Sequence, residues 1–180
     1  AIIYNASNVI NFAQGEFVML GGMGTVFFIG LGLPMPIAVL LAIALTVVVG
    51  FGLEKLAVEP ARDAPIVTLI IITIGASIFL RGAAQLVWDR NFHSVDSFSG
   101  SDPIMVAGAS ILPQSLWILC STVVIVIALH MFFTRSMTGK AIIATSHNPL
   151  AAKLMGIDTS MVLLMSFGLS ALLGASAGIL

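Results

Sequence analysis

Residues 37–53 read Ile-Ala-Val-Leu-Leu-Ala-Ile-Ala-Leu-Thr-Val-Val-Val-Gly-Phe-Gly-Leu, without a charge and without alternation of apolar and polar side chains. A membrane-spanning β-strand shows about ten residues of such alternation, so this run reads as a helix. A helix rises 1.5 Å per residue and the hydrocarbon layer is about 30 Å thick, so about 20 residues are needed to cross it. Residues 37–53 reach that length with their flanks.

The same character recurs along the chain. Residues 17–33, 66–80, 116–133 and 159–180 are also free of charge, and the stretch from 66 can run on to Trp88, an aromatic suited to the membrane–water interface. The composition agrees: 8% of the 180 residues are charged and 59% are hydrophobic, against roughly 25% and 45–50% in soluble domains. Mean hydropathy is +1.14. A disordered chain needs the opposite balance, and the formal net charge of −1 offers nucleic acid no basic surface. The expected fold is all-α: a polytopic helical bundle with about five transmembrane helices, embedded in a lipid bilayer.

The charges fall between these stretches. Glu16 stands alone; Glu54, Lys55, Glu59, Arg62 and Asp63 form one cluster, and Arg81, Asp89, Arg90, Asp96 and Asp102 a second. Arg135, Lys140, Lys153 and Asp158 complete the set. Segments 54–65 and 134–158 fall on one face and hold five of the seven basic residues, which marks that face as cytoplasmic. Arg81 is expected to snorkel outward, a polar partner inside the bundle being the other reading. The outer segment 89–115 suggests a small hairpin about Gly108. Residue 1 is Ala and Leu180 lies within an apolar run, so 1–180 reads as a single transmembrane domain, a fragment truncated at both ends.

Segment 134–158 carries the most local information. Asn148 suits an N-cap, Pro149 the first helical position and Gly156 a left-handed C-cap, giving a short helix of about seven residues with Leu150 and Leu154 on one face. A second, capped by Thr138, is expected from Lys140 to Thr145. Such helices suit docking into a partner's groove; an amphipathic linker on the membrane surface is the alternative.

The motif Leu150-Ala151-Ala152-Lys153-Leu154-Met155-Gly156-Ile157-Asp158 resembles the coupling loop of ATP-binding-cassette importer permeases, in which Ala-Ala and a following Gly are separated by three residues. Arg135-Ser136-Met137-Thr138-Gly139-Lys140-Ala141 matches what precedes that loop in the branched-chain amino-acid permeases. Asn11-Phe12-Ala13-Gln14-Gly15-Glu16-Phe17 resembles the same family's N-terminal motif, Asn-Phe-Ala-His-Gly-Glu. The resemblance implies an inner-membrane permease subunit of a bacterial importer. It also implies ATPase subunits, a sister permease subunit and a periplasmic solute-binding protein as partners. The coupling residues it implies are Arg135, Gly139, Lys140, Leu150, Ala151, Ala152 and Gly156. Leu150 stands where the family usually has Glu, and Gln14 where it often has His. A carrier or channel without an ATPase, an assembly subunit without its own pathway, and a permease for urea or short amides are the alternatives.

Two readings of the N-terminal motif stay open. Glu16 sits at the cytoplasmic interface, where a carboxylate complements a helix N-terminus, or Asn11, Gln14 and Glu16 line the solute path at a broken helix within the membrane. Asn5, Ser7 and Asn8 extend the polar run. In the last stretch Ser166, Ser170, Gly174 and Gly178 recur every four residues beside Ala171 and Ala175, a ridge for close helix packing. No catalytic residue, cofactor or metal site is expected. Gly139-Lys140 lacks the rest of a phosphate loop, and His93, His130 and His147 have no ligand spacing. ATP chemistry would belong to a separate chain.

Overall fold

The computed structural model describes residues 11–62, 64–88, 104–106 and 109–180. Among the described residues seven α-helices follow one another: α1 (Gln14–Gly30), α2 (Met35–Leu53), α3 (Ile66–Trp88), α4 (Pro113–Arg135), α5 (Met137–His147), α6 (Pro149–Leu154) and α7 (Thr159–Ile179). A two-stranded antiparallel hairpin, β1 (Ile104–Val106) with β2 (Ala109–Ile111), precedes α4, with Met105 opposite Ser110. The expected hairpin is present; Gly108 itself lies outside the described residues, as do Asn5, Ser7, Asn8 and most of the outer segment.

The fold is an all-α polytopic bundle. Among the described residues, four helices are long and apolar enough to cross a membrane: Met35–Ala61, Ile66–Trp88, Pro113–Arg135 and Thr159–Ile179. The fifth expected span, α1, has 17 residues and is about 25 Å long, less than a full crossing. Its C-terminus is closed by Gly32 at φ +84°. Gly32 N–H donates to Ile29 C=O (2.8 Å) and Leu33 N–H to Phe28 C=O (3.3 Å), a paired cap that needs a left-handed residue.

Segment 54–65 departs from the expected loop. The chain leaves α2 as a π-turn at Glu54–Val58 and a 3₁₀ turn at Glu59–Ala61, so the helix continues into the charged segment. Val58 is buried with Leu69, Leu163 and Phe167. The π-turn brings this extension onto the starts of α3 and α7, a geometry that charge counting does not reveal.

The centre of the molecule is α1 wedged between α2 and α7. Lipid tails are as apolar as leucine, so helices in a membrane associate by close packing and hydrogen bonds rather than by hydrophobic expulsion. Here the contact is backbone on backbone. A Cβ on Gly21 would fall on the backbone of Ala175, and one on Gly178 would fall on the carbonyl of Val18. A Cβ on Gly174 would stand 2.8 Å from the Cβ of Phe17, and one on Gly50 of α2 would stand 2.7 Å from the Cβ of Ala171. Phe17, Leu20 and Ala171 are buried at this junction. The ridge of small residues on α7 thus lies against α1 and α2 within the chain. Three buried hydroxyls donate to carbonyls of their own helices: Thr25 to Gly21 C=O (2.9 Å), Thr46 to Ala42 C=O (2.8 Å) and Ser166 to Val162 C=O (2.8 Å).

Replacing Gly21 with Leu should lower the melting temperature of the detergent-purified protein by several degrees. Overpacking costs about 1–3 kcal/mol, and the obstacle here is backbone. Gly15→Ala, where an added Cβ meets nothing within 4 Å, should cause no loss. Equal melting temperatures for Gly21→Leu and the wild type would contradict this packing.

Candidate functional site

Two places gather the residues singled out by sequence. At the start of α1, Asn11 Oδ1 accepts from Ala13 N–H (3.0 Å), turning the chain into the helix. Gln14 reaches across to α7: its Nε2 donates to Ser170 C=O (3.2 Å), and Ser170 Oγ donates to its Oε1. Gln14 and Ser170, expected separately as pathway and packing residues, are therefore one clamp between α1 and α7. Two residues on, Glu16 is 4% exposed. Its Oε1 accepts from Arg81 Nη2 (2.7 Å) and from Ser77 Oγ (2.8 Å), both on α3.

This places Arg81 differently from the outward snorkelling expected of it: the guanidinium turns to Glu16, although 63% of its side chain is exposed. It also fixes the level of α1. Ser77 is the central residue of α3 and Ser170 lies beside the centre of α7. Helix α1 therefore begins half-way along both spans rather than at their ends. Its first-turn carboxylate sits where the helix dipole favours an anion and where an unpaired charge would be expensive. Two lone opposite charges within otherwise apolar spans were the available sign that Glu16 and Arg81 are partners.

The second place is segment 136–158. Helix α5 runs Met137–His147, longer than the expected 140–145. Its cap is Ser136, not Thr138: Ser136 Oγ accepts from Gly139 N–H at 2.9 Å. Gly139 is buried where a Cβ would strike the Phe132 carbonyl and Phe133 Cα, so its role in the fold is to let α5 fold back onto the end of α4. Ile142 and Val162 are buried beneath this turn, with Phe132, Phe133 and Ile157 against them.

Helix α6 forms as its sequence dictates. Asn148 Oδ1 accepts from Ala151 N–H (3.0 Å) and Pro149 takes the first turn. Gly156 at φ +85° closes it, with Gly156 N–H on Lys153 C=O (3.1 Å) and Ile157 N–H on Ala152 C=O (3.0 Å). Ala152 faces inward and is buried, while Ala151 faces out. Leu150, Leu154 (80% exposed) and Met155 form an open apolar face, with Arg135, Lys140 and Lys153 also exposed. The next helix begins at once: Asp158 Oδ1 accepts from Ser160 N–H (2.9 Å) and Met161 N–H (3.2 Å).

Compared with known families, residues 1–180 match the model described as branched-chain amino acid transport system / permease component. The chain belongs to that family. It is 27% identical to the high-affinity branched-chain amino acid transport system permease protein LivH of Salmonella typhimurium, over 99% of this chain and 62% of LivH. It is equally similar to the permease protein BraD of Pseudomonas aeruginosa, with the same coverage. The probable permease LivH of Methanocaldococcus jannaschii is also 27% identical, over 99% of this chain and 59% of the relative. The chain thus spans about three-fifths of the length of these curated relatives. No solved structure matches it significantly. As a member of a permease family with several helices long and apolar enough to cross a membrane, it is a multi-pass membrane protein.

The ion pair has a measurable signature. Arg81→Met should destabilise the detergent-purified protein, because a buried carboxylate left without its charged partner costs about 1–3 kcal/mol or more. Glu16→Gln combined with Arg81→Met should cost less than the sum of the single changes. Strict additivity of the two melting-temperature losses would show that the charges are not coupled.

Proposed function

We propose that the chain is a membrane-spanning permease subunit of an ATP-binding-cassette importer for branched-chain or related amino acids. Separate ATPase subunits would drive alternating access, a sister permease subunit would complete the pathway, and a solute-binding protein would deliver solute at the outer face. The observation that carries this reading is the coupling-type loop: a capped six-residue α6 with an open apolar face, in a chain of the branched-chain permease family. The excess of Lys and Arg on segments 54–65 and 134–158 supports placing that loop in the cytoplasm, and the relatives' organisms support a prokaryotic plasma membrane, the inner membrane in bacteria.

In this reading Leu150, Ala151, Leu154 and Met155 seat in a groove of the ATPase, and Gly156 holds the angle at which α6 meets it. Arg135, Lys140 and Lys153 supply the surrounding charge. Gly139 and Ala152 act from behind, by packing the loop onto α4 and α7. The solute passes the N-terminal end of α1. There the short helix leaves Asn11 and Glu16 at mid-depth, and irregular backbone at that level is tolerated where it borders a cavity. Gln14 holds that end in place through Ser170.

Leu154→Asp should abolish co-purification of the ATPase subunit with the assembled transporter while leaving membrane insertion intact. Gly156→Val should uncouple ATP hydrolysis from uptake in proteoliposomes, because a β-branched residue strains a left-handed position. Gly156→Asn, which tolerates that conformation, should retain most uptake. Normal coupled uptake by Gly156→Val would contradict the assignment.

A further inference from the structure

The π-turn holds an acidic group that its surroundings do not satisfy. Glu54 is 1% exposed, and its Oε1 has no hydrogen-bond partner among the described residues. The donors nearby serve a different carboxylate. Ser160 Oγ donates to Glu59 Oε1 at 2.6 Å, and Lys55 Nζ lies 3.5 Å from Glu59 Oε2. A carboxyl oxygen buried without a partner is costly, and a donor brought by a ligand would offset that cost. Glu54 borders a cavity of about 300 Å³ between the π-turn and the first turns of α7, at the lower end of the range for small-molecule pockets. Lys55 and Arg62 line it together with the acidic groups, and Met161 and Leu164 supply an aliphatic wall.

A zwitterion with an aliphatic side chain matches that lining in all three respects. We propose that the cavity binds one such amino acid, with its α-ammonium group on Glu54, its carboxylate toward Lys55 and Arg62, and its side chain against Met161 and Leu164. A bare metal ion fits less well, since the described residues hold no group of three metal-ligating side chains. The site rests on the amino-acid transport reading but lies at the opposite end of the bundle's inner half from Glu16. It gives solute a resting point beside the loop that meets the ATPase.

The test uses the assembled transporter, purified in detergent, with tritiated L-leucine as the probe and leucine uptake into proteoliposomes measured in parallel. Glu54→Gln should weaken leucine binding at least tenfold, and Met161→Trp, which fills the cavity, should do the same. L-Leucine methyl ester, which keeps the ammonium group, should displace the probe; 4-methylpentanoate, which lacks it, should not. Wild-type uptake with leucine binding unchanged in both variants would overturn this site alone. Equal displacement by 4-methylpentanoate, or by potassium chloride, would also overturn it. Wild-type vesicles that neither take up nor bind leucine would overturn the amino-acid reading itself.

Discussion

The backbone contact between α1 and α7 sets the rest of the molecule. Gly21, Gly174 and Gly178 remove the side chains that would keep the two helices apart, so dispersion acts over a long, close interface. That contact decides how far along α7 the shorter helix sits. The Gln14–Ser170 clamp then pins its lower end. Only at that level does Glu16 face Ser77 and Arg81. The ion pair is a consequence of helix register, and a shift of one turn, about 5.4 Å, would leave a buried carboxylate without its partner.

The second constraint is the short route from α6 to α2. Helix α6 ends at Gly156, Asp158 caps α7 two residues later, and Ser160 bonds to Glu59 on the extension of α2. A displacement of α6 therefore reaches the π-turn through capped, hydrogen-bonded segments with little slack. Helix α2 passes it to the packed core, since Gly50 rests on Ala171. In the proposed importer this is the path from ATPase to pathway, and it is also why the Glu54 cavity, built on the same turn, would respond to that motion.

Much of this was legible in the sequence, and what was not has a physical reason. The charge-free runs located the five long helices among the described residues, and capping chemistry placed α6 through Asn148, Pro149 and Gly156. The cap of α5 is Ser136 rather than Thr138, although both hydroxyls can serve as N-caps. The choice falls to Gly139, whose lack of a side chain lets α5 press against Phe132 and Phe133. The charged run Glu54–Arg62 resembled a solvated loop, since nothing local announces a π-turn or the burial of Glu54. Arg81 was expected to face outward because its partner is 65 residues away, beyond any periodicity argument. The small-residue ridge on α7 was plain, but which helices it meets depends on tertiary packing.

The central claim is that α1 begins at mid-depth beside the solute path. Its most direct measurement is the reaction of a membrane-impermeant thiosulfonate with Asn11→Cys, in a Cys120→Ser background, in vesicles carrying the assembled transporter with and without ATP. The account predicts labelling several-fold faster in one nucleotide state than in the other, and slowed by transported solute. A labelling rate that is the same in both states, whether fast as at an exposed interface or zero as in a sealed core, would contradict it.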